Sequence, residues 1–354
     1  MEDDALDRDA RIKLSIGTKQ EGNADGQFRT PVGLVFDPHR GLLLVADFYN
    51  HRVQVFSCDD DDGPFVSKFG GERGNQPGQL ANPWGLAIDH DHDSIFVIDI
   101  GNDQVQSWSL SEQSFLSCTG QQGSRDFELS YPRGIAIDKH HHRIVIAESN
   151  NHRLVFLSSI DLSFLFSIGK RGSRPGEFER PSGIAIDDDR HRIIVSDGNN
   201  NRVQVLSLID GSFLFMFGSL GDQPCQFNYP QGLCITNQGR IIVADHYNNR
   251  LQSFTHDGHH ISSFDCGGEC PSAVAFDEHR GLIAFSAGNR VHVIGANQWL
   301  ADTKFVWCPD LHRHAPSWMK QAVSTMTMIR SLVDECSAMS MIPNELLFEI
   351  FSFL

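Results

Sequence analysis

Five copies of Pro-x-Gly, spaced about one blade apart, and a polar Asn-x-Arg turn that recurs in step with them predict an all-β, six-bladed propeller with a short α-helical C-terminal tail. The copies are Pro31-Val32-Gly33, Pro83-Trp84-Gly85, Pro132-Arg133-Gly134, Pro181-Ser182-Gly183 and Pro230-Gln231-Gly232, and a divergent sixth reads Pro271-Ser272-Ala273. The prolines are 52, 49, 49, 49 and 41 residues apart, which is the length of four short strands with their turns.

Each repeat reads the same way. A short apolar run follows the Pro-x-Gly, as in Leu34 to Asp37, Ile135 to Asp138 and Ile184 to Asp187. A second run ends in an acid, as in Leu43 to Asp47 or Ile241 to Asp245. A tight turn then leads to a third strand, which opens with Arg52, Arg153, Arg202, Arg250 and Arg290 in five copies and with Gln104 in the second. A Phe-rich fourth run enters a Gly-rich loop, as in Ser163 to Gly169 and Ser212 to Gly218. Val, Ile, Leu and Phe suit strands packed on both faces, and Asn and Asp suit the turns. In the four copies with both an Arg and a turn acid (Asp47, Glu148, Asp197, Asp245), the two are expected to pair, making this motif scaffold.

The sixth repeat shows three strands, around Val274–Phe276, Leu282–Ser286 and Val291–Ile294. Residues 11–17 read as a fourth strand placed before the first repeat, so the ring is expected to close through the N-terminus and leave no free sheet edge. The domains expected are an acidic arm over 1–10, the propeller over 11–296, and a helical tail over 297–354.

The pattern resembles the NHL repeat over roughly residues 11–295. That resemblance implies a binding platform whose partners use the face carrying the Asn-x-Arg turns and the loops between blades. Variable positions on that face rich in aromatic residues and Arg are the expected contacts: Phe48, Tyr49, Trp84, Arg133, Gln231, His246 and Tyr247. The competing reading of Phe48 and Trp84 is packing between blades. The resemblance also reaches ubiquitin ligases of the tripartite-motif class, whose RING, B-box and coiled coil do not appear in this sequence.

The tail carries a second resemblance. Residues 315–336 have Ala322, Met326, Ile329 and Val333 at helical spacing. Residues 342–354, Ile-Pro-Asn-Glu-Leu-Leu-Phe-Glu-Ile-Phe-Ser-Phe-Leu, resemble the opening of an F-box. Leu346, Leu347, Ile350, Phe351 and Leu354 form one apolar stripe behind Pro343. The resemblance implies binding to the adaptor of cullin ligases; the alternative is a helix packed on the propeller or on a second copy.

Composition narrows the partners. With 29 basic and 45 acidic residues the formal charge is −16, which disfavours the RNA binding known for some NHL relatives. The opening Met1-Glu2-Asp3-Asp4 lacks the basic, then apolar, pattern of a secretory leader. No run of about 18 apolar residues is present, so no membrane span is expected. A cytoplasmic protein with eight free, mostly buried cysteines is expected; Cys266 and Cys270 lack the second pair of a zinc site. His90-Asp91-His92 and His140-His141-His142 fall in short loops on the opposite face and read as solvated turns.

No catalytic residue, cofactor or metal is expected. A lyase or hydrolase propeller is the enzyme alternative, but its polar groups should line the axis, where this chain has runs such as Ile135-Ala136-Ile137. Phosphate loops, nucleophile elbows and paired carboxylates are not found.

Overall fold

A computed structural model of the chain describes residues 12–59, 62–296 and 299. They form six four-stranded antiparallel sheets. The innermost strands are Pro31–Asp37, Pro83–Asp89, Pro132–Asp138, Pro181–Asp187, Pro230–Ile235 and Pro271–Asp277. Each packs beside the next, and the last packs beside the first, so they ring one axis. The fourth strand of the sixth sheet is Ile12–Gly17, antiparallel to Arg290–Gly295, with Ile16 opposite Val291. Ile16 is buried among Phe28, Leu34 and Val291.

The turn chemistry is uniform. Arg52 Nε donates to Asp47 at 2.9 Å, Arg202 to Asp197 at 2.8 Å and Arg250 to Asp245 at 2.8 Å, and Arg153 pairs with Glu148. The four expected pairs are therefore formed. In the second blade Gln104 donates to Asp99 at 3.1 Å instead. Each Arg also binds carbonyls of the preceding loop; Arg202 takes those of Ser173, Arg174 and Glu177. Burial pushes the Asp47, Asp99, Glu148, Asp197 and Asp245 carboxyls upward, and the surrounding donors pull against it.

After each 3-10 turn or its equivalent stands a residue in the left-handed region: His51, Asp103, His152, Asn201 and Asn249, with φ from 50° to 56°. Asp and Asn tolerate this conformation best. Four of these side chains accept a hydrogen bond from the residue that precedes the next blade's proline. Asn82 N–H donates to His51 Nδ1 at 3.1 Å, Tyr131 to Asp103 at 2.7 Å, Arg180 to His152 Nδ1 at 3.1 Å and Tyr229 to Asn201 at 2.8 Å. Thr30 N–H donates to Asn289 at 3.2 Å and joins the sixth blade to the first.

The Gly-rich loops hold a feature not expected from their composition. Phe28, Leu80, Leu129, Phe178 and Phe227, one per loop, are fully or almost fully buried. Three of the loops close on a single parallel bridge and one on a short parallel pair, Ser219–Leu220 with Gln226–Phe227. The loops are thus pinned by an apolar anchor rather than merely spanning blades.

Two expectations need correction. Cys225 is buried and disulfide-bonded, so the cysteines are not all thiols. Of the other described cysteines Cys266 is buried, whereas Cys58, Cys118, Cys234 and Cys270 lie on outer strands, turns or the axis and are partly or fully exposed. The helical tail, including Leu346, Leu347, Ile350, Phe351 and Leu354, lies outside the described residues apart from Trp299. Trp299 packs on Phe264, with ring centroids 5.9 Å apart, so the sixth blade's core extends past residue 296. Among the described residues no helix is long and apolar enough to cross a membrane.

Candidate interaction face

The axis is apolar along its length. A cavity of about 280 Å³ runs there, lined by residues such as Leu86, Ile135, Ile184 and Phe276 from the innermost strands. Polar side chains stand at both ends of the innermost strands: Arg133, Ser182 and Gln231 where the strands begin, and Asp187, Asp188 and Thr236 where they end.

Where the innermost strands begin, the aromatic residues join. The Phe48 ring meets Tyr49 at 4.8 Å and Trp84 at 5.4 Å, both edge-on. The Arg133 guanidinium lies 4.7 Å from the Trp84 ring, 5.0 Å from Tyr131 and 5.9 Å from Tyr229. Its Nη1 donates to the Tyr229 hydroxyl at 2.9 Å. Tyr229 continues to Tyr247 at 5.5 Å and to His246 at 6.4 Å. At the other end the Arg29 guanidinium sits 5.4 Å from the Tyr49 ring. One chain of ring and cation contacts therefore runs from the first blade to the fifth.

Small residues in the fourth blade make the crossing. Ser182 and Gly198 occupy the positions held elsewhere by Trp84 or Arg133 and by Phe48 or His246. A Cβ at Gly198 would lie 3.3 Å from Tyr229 Cε2 and 3.0 Å from the Arg180 carbonyl. Without that side chain, Tyr229 reaches across to Arg133.

Of the seven residues expected on this face, six join the chain and Gln231 does not. Gln231 is buried at the axial rim, where its Oε1 has no partner. Tyr49 and Tyr247 are 51% and 57% exposed, whereas Phe48 and Trp84 are half-buried and pack on the cores of neighbouring blades. Interblade packing and surface display are combined in those two. Tyr131 and Tyr229 were not anticipated. Both precede the proline and have φ of 55° and 58°, held there by Asp103 and Asn201 as described above. An aromatic residue directly before a repeat proline is the signal that would have found them.

At the centre of the face stands the Arg133 guanidinium, which no carboxylate meets among the described residues. His246 Nδ1 lies 3.0 Å from the Pro271 carbonyl, so it carries the proton and donates. Burial pulls its pKa down, and nearby Arg133 adds to the effect. On the opposite face His92 and His141 bond to Asp89 and Asp138, and His39 lies edge-on to His90 at 4.4 Å. Among the described residues no group of His, Cys, Asp and Glu is arranged to hold a metal ion.

A model of the NHL repeat matches residues 28–56, 178–206 and 227–254. The human NHL repeat-containing protein 2 is 27% identical over 126 residues, which are 29% of this chain and 16% of that protein. The rat peptidylglycine alpha-amidating monooxygenase is 30% identical over 101 residues, 27% of this chain and 10% of that protein. Protein lin-41 of Caenorhabditis elegans is 47% identical over 49 residues, 14% of this chain and 4% of that protein. The matches thus span less than a fifth of these relatives' length. A structural genomics protein from Bacteroides thetaiotaomicron superimposes with a TM-score of 0.58 at 18% identity, covering 80% of this chain and 74% of that one. A streptogramin B lyase structure gives 0.53 at 15%, covering 78% and 86%. At those identities the likeness is one of fold.

Proposed function

We propose that this NHL-repeat β-propeller is a non-catalytic protein-interaction platform, and that partners dock on the face carrying Tyr49, Phe48, Trp84, Arg133, Tyr131, Tyr229, His246 and Tyr247. The observation that carries the reading is the aromatic–Arg chain that four blades build from the first blade to the fifth. Tyr, Trp and Arg dominate binding energy at protein interfaces because they bury large rigid area while keeping a polar handle. Here they are displayed on a rigid ring, which lowers the ordering cost of binding. Replacing Tyr49, Trp84 and Tyr247 by Ala together should abolish partner capture while the propeller still folds, with a melting temperature lowered by the lost Trp84 packing; capture unchanged by the triple substitution would end the proposal.

A finer proposal places the propeller in a ubiquitin-ligase pathway as the substrate reader, in the cytoplasm, with residues 342–354 engaging a cullin adaptor. The resemblance of that segment to an F-box opening supports it. Affinity purification of the full chain and of a version ending at residue 296 tests it: the adaptor should be recovered only with the full chain.

RNA is the second reading, because Tyr, Trp and Arg also stack on bases. The charge of −16 weighs against it. A salt titration showing no RNA affinity at low salt would dismiss it. A lyase or hydrolase is least supported, since the axial side chains offer apolar surface where such chemistry needs polar groups.

A further inference from the structure

Four arginines are buried among the described residues: Arg52, Arg133, Arg143 and Arg202. Three have a carboxylate: Arg52 donates to Asp47 at 2.9 Å, Arg143 to Asp138 at 2.9 Å and Arg202 to Asp197 at 2.8 Å. Arg133 is 8% exposed and pairs with no carboxylate among the described residues. Its Nε is buried without an acceptor, and its one hydrogen bond goes to a neutral phenol. A buried guanidinium keeps its charge at any ordinary pH, so burying it without an anion is costly. Aromatic faces recover only part of that cost. The Asp–Arg pairs of the blade turns show how the same fold satisfies a buried Arg when the role is structural.

The surroundings narrow the missing anion. The rings against Arg133 are those of Trp84, Tyr131 and Tyr229, and the nearby His246 has its pKa lowered by burial and by Arg133. Gln231 Oε1, also unpartnered at the axial rim, is an acceptor and suits an N–H donor. One guanidinium in an acidic protein matches a single negative charge better than a phosphate dianion or a polyanion. A fork of parallel N–H donors fits a carboxylate.

We propose that Arg133 is the anchor for a peptide carboxylate, and that the preferred partner segment presents an acidic residue flanked by apolar ones. This rests on the protein-binding reading above and adds the chemistry of the ligand. The carboxylate supplies the anion that Arg133 lacks. Trp84 and Tyr247 take the flanking apolar side chains.

The test uses the full chain, immobilised, and two fluorescent pools of short random peptides. The pools differ only in a central Glu or Gln and contain no other acid. A random single-stranded RNA is run beside them at low and moderate salt. The Glu pool should be retained about tenfold better than the Gln pool, as expected for a desolvated Arg–carboxylate pair. The ratio should fall to one in Arg133→Gln and be partly kept in Arg133→Lys. The comparison of pools on the unmodified protein needs no variant, so it stands even if a substitution impairs folding. Equal retention of both pools would overturn the carboxylate proposal and leave the protein-binding reading intact. A Glu preference surviving in Arg133→Gln would overturn it too, by placing the recognition elsewhere. Retention of RNA alone would overturn both.

Discussion

The Arg133 guanidinium lies 4.7 Å from the ring of Trp84, two residues from adjacent blades, and is the one buried arginine of the described propeller that no carboxylate balances. If its role is to meet a partner, folding should not depend on it. Arg133→Met loses a cation–π contact of about 1–2 kcal/mol but removes an unpaired buried charge that costs several kcal/mol. The melting temperature should stay level or rise by about 2–4 °C. A fall of that size would mark Arg133 as scaffold.

The turn arginines should behave in the opposite way. Arg202→Ala strands the buried Asp197 carboxylate and three loop carbonyls. It should destabilise the protein by about 3–5 kcal/mol in urea titration. Gln104→Arg, which restores the pattern of the other blades beside Asp99, should add roughly 1 kcal/mol.

These contrasts show what was legible in the sequence. The repeat length, the Asp–Arg pairing and six members of the aromatic–Arg chain could be read because they recur at fixed offsets from the Pro-x-Gly. Tyr131 and Tyr229 carry only the weaker signal of an aromatic residue before the proline, because their outward direction depends on a left-handed backbone fixed by Asp103 and Asn201 in the preceding blade, 28 residues away. The burial of Phe178 and Phe227 was hidden for a similar reason: they stand singly in Gly-rich loops, with no periodicity to show that the loop folds back between blades. The cost of burying Arg133 became visible only once its neighbours were known.

Closure of the ring rests on Ile12–Gly17. Ile16 is 5% exposed, and Ile16→Ala should cost about 2–4 kcal/mol. Deleting residues 1–17 uncovers the edge of Arg290–Gly295 and should lower the melting temperature far more than any single exposed-residue change. An unchanged melt after deletion would contradict closure through this strand.

Acid should loosen the contacts between blades. His51 and His152 each accept an N–H from the next blade at Nδ1, and burial lowers both pKa values. A base with a folded pKa below its unfolded value, about 6.5, contributes stability above that pH and loses it as the pH falls through it. Protonated Nδ1 no longer accepts. The melting temperature should therefore drop as the pH falls below about 6.5, and the double variant His51→Asn, His152→Asn, which keeps an acceptor, should flatten that drop.

The most direct measurement is quantitative affinity capture with the full chain, comparing the native protein with Tyr49→Ala, Trp84→Ala, Tyr247→Ala combined, and with His39→Ala, His90→Ala on the opposite face. The account expects one set of proteins to be lost with the aromatic triple substitution and retained with the histidine pair, both variants melting as folded propellers. A set retained by the triple variant, or lost equally from both, would contradict the assignment of the interaction face.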